Sequence, residues 1–142
     1  MSYTPFLAGQ KITADLLNTR IIQVTMDWTP LTSLGSYQGG AADGTPVARM
    51  RKFLFMGTEV WEFEGRVTIP TLAGGSSLAW FQFSATPFIS GERGFFCYGF
   101  GSTYAHRVGF VSSGQCRVQT PAGSTGSSTG FLLDGCYVTN PV

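Results

Sequence analysis

Charged side chains are scarce in this sequence, and no part of it is strongly basic. Asp, Glu, Lys and Arg make up 12% of the residues, against about 25% in a typical globular domain. The net charge is +1, and the basic residues are scattered apart from one small cluster of Arg49, Arg51 and Lys52. We therefore expect no nucleic-acid partner, because neutralising phosphates requires a basic stripe.

Cysteine is also scarce, and its spacing fits neither a disulfide framework nor a metal site. Cys97, Cys116 and Cys136 cannot all pair within one chain, and none of them belongs to a CxxC motif. We interpret them as reduced thiols that pack as small hydrophobic residues, which is typical of folding in a reducing cytoplasm. No metal and no other cofactor is expected.

Residues suited to acid–base or nucleophilic chemistry are few. His106 is the only histidine, and no GxSxG, P-loop or HExxH motif occurs. Its neighbours in the sequence place His106 at an exposed or half-exposed strand position. Glu62 and Glu64 would lie about 7 Å apart on one strand face, but together with Arg66 they indicate a charged ladder on the solvent side of a sheet. We expect no catalytic residues and no enzymatic activity.

Long hydrophobic runs are absent, whereas glycine and aromatic residues are abundant. No apolar run approaches the roughly 20 residues that span a bilayer, and the N-terminus lacks the pattern of a signal peptide, so neither membrane insertion nor classical secretion is expected. The 142 residues include 19 glycines, and 14% are aromatic. This composition is typical of one domain built from β-strands and tight turns.

Alternation of apolar and polar residues predicts about seven or eight strands. They fall at 22–28, 47–69 (a hairpin that turns at 56–58), 78–84, 95–100, 105–111, 115–119 and 131–138. The segment 34–46 is predicted to be a loop with a short strand near 36–38, and 121–130 a mobile loop. The fold class is therefore all-β, an antiparallel β-sandwich of the jelly-roll type over residues 23–142.

Residues 1–22 follow a different pattern and are predicted to form an anchoring arm and a short helix. Pro5 and Gly9 lie in an aperiodic stretch, whereas Thr13 is a suitable helix N-cap and the apolar residues after it have helical spacing. A helix of two to three turns is marginal in water unless it docks on a surface. The apolar side chains expected to make that contact are Phe6, Leu7, Ile12, Leu16 and Leu17.

Aromatic residues crowd into the stretch from position 80 to 104. Strand alternation buries only one of each neighbouring pair, so some of these rings must point outward. Three interpretations stay open for them: core packing, contact between subunits and ligand binding. The residues concerned are Trp80, Phe95, Phe96, Tyr98 and Tyr104, with Phe100 between them. Low charge and surplus apolar surface also favour a homo-oligomer.

The segment FLAGQKITADLLN at 6–18 resembles the N-terminal signature of many actinobacteriophage virion proteins, especially minor tail proteins, in which such a phrase precedes a β domain. The remainder is similar to the small C-terminal β domains of those proteins. The matching segments are WTPL at 28–31, EVWEFEGRV at 59–67, AHRV at 105–108 and LDG at 133–135.

The resemblance implies a structural protein of a tailed-bacteriophage virion, assembled in the bacterial host cytoplasm and attached through its N-terminal segment. No coiled-coil shaft is present, which favours a compact fibre knob or a capsid decoration over a long fibre. The partners would be other virion proteins and further copies of the chain, in a trimer by analogy with fibre-like phage modules. The alternative is a carbohydrate- or host-surface-binding module that uses its exposed aromatic rings on a cell-surface glycan. A lysin or depolymerase ranks third.

Overall fold

The computed structural model describes residues 8–9, 11, 13–14, 21–85, 91–101, 105–124 and 126–140. The predicted N-terminal helix falls mostly outside these residues. The same is true of the predicted anchoring side chains Phe6, Leu7, Ile12, Leu16 and Leu17, and of Tyr104.

The described residues form thirteen strands and one 3₁₀ turn, Leu31–Ser33. In chain order the strands are β1 Ile22–Pro30, β2 Gly35–Tyr37, β3 Ala42–Asp43, β4 Arg49–Phe55, β5 Thr58–Glu64, β6 Arg66–Ala73, β7 Ser77–Phe83, β8 Arg93–Cys97, β9 Gly99–Phe100, β10 His106–Phe110, β11 Gln115–Gln119, β12 Ser127–Leu132 and β13 Cys136–Asn140. They pair in antiparallel fashion into three sheets, which we number I to III. Sheet I has the order β1-β4-β5-β13, sheet II β2-β7-β11-β10-β8 and sheet III β3-β6-β12-β9.

Aromatic side chains fill the space between sheet II and the other two sheets. The ring centroid of Trp61 in sheet I lies 5.8 Å from that of Phe83 and 6.4 Å from that of Phe110, both in sheet II. The Trp80 ring of sheet II lies 5.1 Å from Phe131 of sheet III. Sheet II therefore packs on sheets I and III together, which confirms the predicted all-β antiparallel sandwich.

The longest predicted strand bends at Gly65 and divides between two sheets. Its alternation is as predicted, and the buried apolar positions are Trp61, Phe63, Val67 and Ile69. However, β5 and β6, on either side of Gly65, belong to sheets I and III. Gly65 has a φ of 93°, and a Cβ at this position would overlap the carbonyl oxygen of Val47. Only glycine fits such a site. Because the chain passes from one sheet to another at Gly65, the prediction of one unbroken strand is wrong.

Two further predicted strands divide in the same way. The predicted strand at 95–100 consists of β8 in sheet II and β9 in sheet III, with Tyr98 between them. The predicted strand at 131–138 combines the end of β12 with the start of β13, and a turn at Asp134 and Gly135 separates them. Strand β12 also begins inside 121–130, which was predicted to be a loop throughout. Hence there are more strands than the predicted seven or eight.

Strand β1 departs from its predicted alternation, which placed Ile22, Val24, Met26 and Trp28 on one buried face. Its register against β4 shifts between Val24 and Met26, and again between Met26 and Thr29. Each such irregularity turns the following side chains toward the other face of the sheet. As a result Met26 packs against the core, whereas Ile22 and Val24 are 45% and 55% exposed.

Strand β1 begins and strand β13 ends at the same end of sheet I. Ile22 pairs with Phe55, the last residue of β4, and Asn140 pairs with Glu59, the second residue of β5. The turn between β4 and β5 lies at this end, and Gly57 has the positive φ that the predicted turn requires, at 85°. Met56 also has a positive φ, at 48°. The Gly65 corner lies at the opposite end of β5.

Candidate functional site

The predicted charged ladder is present on the outer face of sheet I. Arg51 Nε lies 2.6 Å from Glu62 Oε2, and Arg49 forms an ion pair with Glu64. The two guanidinium carbons also lie 5.2 Å (Arg49) and 4.9 Å (Arg51) from the centre of the Trp28 ring. Both carboxylates are thus engaged by arginines on the neighbouring strand, which is the arrangement expected of a stabilising surface network.

Arg66 does not continue this ladder, contrary to the prediction. The chain has changed sheets at Gly65, so Arg66 lies on sheet III, where its guanidinium carbon is 3.8 Å from the centre of the Phe100 ring. Arg66 and Phe100 therefore form a separate cation–π pair.

A depression of about 660 Å³ beside the Gly65 corner carries the three carboxylates Glu62, Glu64 and Asp134. The first two are ion-paired, and Asp134 Oδ1 accepts a hydrogen bond from the Gly65 backbone N–H at 2.6 Å. All three groups therefore hold the corner and the adjoining strands together.

His106 is buried, so its predicted exposed or half-exposed position is wrong. In the register of sheet II, His106 pairs with Cys97, and both side chains face the core. The imidazole packs so closely against Gly99 that a Cβ on that residue would overlap the ring. Sequence alternation alone did not reveal which face of β10 is the inner one. The imidazole ring of His106 is therefore part of the packed core.

The three cysteines are buried and carry free thiols. Burial, followed by the neighbouring Cys136, raises the pKa of Cys97 to about 12. Burial, followed by the charge of Asp134, raises the pKa of Cys136 to about 11. Within the described parts of the chain, no three His, Cys, Asp or Glu side chains are grouped so that they could hold a metal ion.

The structure separates the aromatic residues that the sequence grouped together. Trp80 is buried in the core, and Phe95 is half-buried with its ring 5.6 Å from Phe63. Tyr98 is 62% exposed and stands edge-on to Phe100 at 5.2 Å. Phe96, which is 72% exposed, lies on the outer face of sheet II. The exposed rings of Phe96 and Tyr98 thus remain candidates for ligand or subunit contact, whereas Trp80 does not.

Phe96 lies at one side of a depression of about 430 Å³ on the outer face of sheet II, which we call the Phe96 depression. A row of side chains crosses the sheet here, because Phe96 pairs with Arg107, Arg107 with Gln119 and Gln119 with Ser77. Arg107 Nη1 donates hydrogen bonds to Glu92 Oε1 at 2.7 Å and to Gln119 Oε1 at 3.2 Å. The depression thus combines an exposed ring with oriented polar groups.

Hydrogen bonds hold the far wall of the Phe96 depression in place. The buried Thr120 hydroxyl accepts a hydrogen bond from the Ser76 backbone N–H at 2.9 Å and lies 3.0 Å from the Ala73 carbonyl oxygen, to which it donates. The Thr120 backbone N–H donates to the Ser76 carbonyl at 3.0 Å. Sequence reasoning missed Arg107 and Gln119 as site residues. Their strands β10 and β11 were predicted, but the closeness of both residues to Phe96 depends on strand order.

A second exposed feature is an apolar patch on sheet I, formed by Ile22, Val24, Phe55 and Met56 and called here the sheet I patch. These side chains are 45%, 55%, 46% and 56% exposed in that order. The pairings of Ile22 with Phe55 and of Val24 with Phe53 place them side by side. Sequence reasoning missed this patch, because the alternation of β1 predicted that Ile22 and Val24 are buried.

Comparison with known protein families, curated proteins and solved structures finds no match for this chain. The described residues contain no helix that is long and apolar enough to cross a bilayer.

Proposed function

We propose that this chain is a structural protein of a tailed-bacteriophage virion, attached through residues 1–22 and presenting its β-sandwich outward. The observation that carries the proposal is the position of the sheet I patch. Its residue Ile22 is the first of β1, so the predicted anchor joins the sandwich directly beside exposed apolar side chains. An anchor and an adjoining apolar surface together form one larger contact area.

The sheet I patch suits contact with another protein or with further copies of the chain. Exposed patches of this kind mark interaction surfaces when several large side chains are contiguous. Complete burial of each such side chain contributes on the order of 1 to 3 kcal/mol, and anchors acting on several copies reinforce each other. The partners we propose are therefore other virion proteins, of head or tail, and two further copies in a trimer.

The proposed role includes no catalysis. The ion pairs of Glu62 and Glu64 support this part of the proposal, because both carboxylates are engaged in a surface network. Purified protein should release neither sugar nor peptide from bacterial cell walls. Hydrolysis that is lost on Glu62→Gln or Glu64→Gln would contradict it.

The experiment is to purify intact particles by density gradient from a culture that produces the chain, and to detect the chain with an antibody. We expect it to band with the particles. The variant Val24→Asp/Phe55→Asp should fold but be depleted from the particle band, because charge on the patch opposes its burial.

Tyr137→Asp is the matched control. Tyr137 is 64% exposed on β13, at the opposite edge of sheet I from β1, so its replacement should leave the banding unchanged. A chain that stays at the top of the gradient, or equal depletion of both variants, would contradict the proposal.

A further inference from the structure

We infer that the Phe96 depression binds one neutral pyranose ring of a polysaccharide, with Phe96 as the stacking platform and Arg107 and Gln119 as hydrogen-bonding groups. This inference goes beyond the proposed virion role and does not rest on it, because its observations come from sheet II and the turn that precedes β7, not from sheet I.

The platform is the Phe96 ring, of which 72% is exposed. Beside it on the same face are Gly94, two residues earlier on β8, and Gly109, which pairs with Gly94 on β10. Gly94 contributes no side chain beside the ring, whereas the space above Gly109 is occupied by Glu92 Oε1 and Arg107 Nη1. The negative face of an aromatic ring attracts positively polarised C–H groups, and the axial face of a pyranose presents such groups. An aromatic ring that is exposed to this extent is therefore suited to stacking on a sugar.

The polar groups Arg107 and Gln119 lie next to the platform, in the same cross-strand row. Arg107 is paired directly with Phe96, and its Nη1 is already oriented by Glu92 and Gln119 at 2.7 and 3.2 Å. A guanidinium has five N–H donors, and a side-chain amide has two donors and an acceptor. Neighbouring sugar hydroxyls both donate and accept, so this mixture matches a pair of adjacent hydroxyls.

The charge balance indicates a neutral sugar rather than an acidic one. The positive charge of Arg107 is matched by Glu92 at 2.7 Å, so a carboxylate or phosphate on the ligand would have to compete with Glu92 for the guanidinium. Phosphate-rich ligands are disfavoured for the same reason.

The size and rigidity of the depression fit a small ring. Its volume of about 430 Å³ lies within the range of about 300–1,000 Å³ that is usual for small-molecule sites. The wall opposite Phe96 is fixed by the Thr120 hydroxyl, which bridges the turn before β7 to the end of β11. A wall that is ordered before binding reduces the entropy lost on association.

The test is saturation-transfer NMR on the protein of residues 1–142, with the methyl glycosides of glucose, galactose, mannose and N-acetylglucosamine as probes. Methyl glucuronide serves as the acidic comparison. We expect at least one neutral glycoside to bind, with the strongest transfer to the protons of one ring face, and the glucuronide to bind more weakly.

Phe96→Ala should weaken that binding by roughly tenfold or more, and Arg107→Ala should weaken it as well, whereas Phe96→Tyr should retain it. Tyr137→Ala is the matched control, since it removes a ring of similar exposure from another sheet and should change nothing. The inference is overturned if none of the neutral glycosides binds, if Phe96→Ala binds like the parent protein, or if Tyr137→Ala weakens binding equally.

Discussion

The carboxylate of Asp134 accepts a hydrogen bond from the backbone N–H of Gly65 at 2.6 Å, across 69 positions of the chain. The carbonyl of Gly65 accepts a second one from the backbone N–H of Leu133 at 2.8 Å. These contacts join the two places where the chain passes between sheets I and III, from β5 to β6 and from β12 to β13. The corner of the sandwich is thus one structure made from two distant segments.

Asp134→Ala should lower the free energy of unfolding by about 1.5–3 kcal/mol, because it leaves the Gly65 N–H without its charged acceptor. Urea denaturation followed by tryptophan fluorescence measures this loss. Asp134→Asn is the control, since its amide oxygen still accepts a hydrogen bond, and its loss should be smaller. Equal losses for the two variants would show that the hydrogen bond is not the cause.

Gly65→Ala should destabilise the fold by roughly 3 kcal/mol or more, which is enough to threaten folding of a domain of ordinary stability. The substitution combines backbone strain at a φ of 93° with overlap between the new Cβ and the backbone of Val47. Gly123→Ala separates the two causes, because Gly123 has a φ of 77° but no atom within 4 Å of a built Cβ. Its loss should be about 1–2 kcal/mol, the cost of the backbone conformation alone. Similar denaturation midpoints for both variants would refute the steric argument.

Stability should fall with rising pH in the alkaline range. Burial raises the pKa of Cys97 and Cys136 from 9.0 to about 12 and about 11. Between pH 9.0 and these values the unfolded chain releases thiol protons that the folded chain retains, so the unfolded state is favoured as pH rises. Melting temperatures measured across this interval should decline, and less steeply in Cys97→Ala/Cys136→Ala. A melting temperature that rises over the interval would contradict this.

The same thiols should resist labelling in the folded protein at neutral pH. Thiolates are the reactive species, and burial suppresses them at all three cysteines. An aromatic disulfide reagent should therefore react rapidly only after urea is added. Fast labelling of the native protein would show that at least one thiol is accessible.

The chain should form a homo-oligomer, which we expect to be a trimer. The sheet I patch supplies contiguous apolar surface that is exposed in one copy. Multi-angle light scattering at micromolar concentration measures the mass, and Val24→Asp/Phe55→Asp should reduce it to that of one chain. A stable monomer of the parent protein would refute this prediction.

The sequence was sufficient to predict the fold class and most strand positions, because alternation reports directly on burial. Strand β11 occupies the predicted range 115–119, and the turn at Met56 and Gly57 lies where a short reversal was predicted. The division of the long strand at Gly65 was not predicted. A strand that changes sheets keeps its alternation through the bend, so periodicity contains no signal of the change.

The candidate sites were predictable only in part. Phe96 was identified among the rings of which some must point outward, but Arg107 and Gln119 were not connected to it. Those contacts arise because β8, β10, β11 and β7 are neighbours in sheet II, and strand order is a long-range property. The sheet I patch was hidden for a different reason, since the irregular register of β1 exposes Ile22 and Val24.

The register of sheet I also separates the proposed attachment end of the molecule from the proposed sugar site. Residues 1–21 join it at the Ile22 end, whereas Phe95, the neighbour of Phe96, packs on Phe63 near the corner end. Thr58 and Phe63 are five residues apart on β5, about 17 Å along the strand. Attachment and sugar binding would therefore not compete for space, and a particle carrying many copies would face a polysaccharide with many parallel sites. Avidity then makes millimolar affinity at each site sufficient for firm yet reversible adhesion.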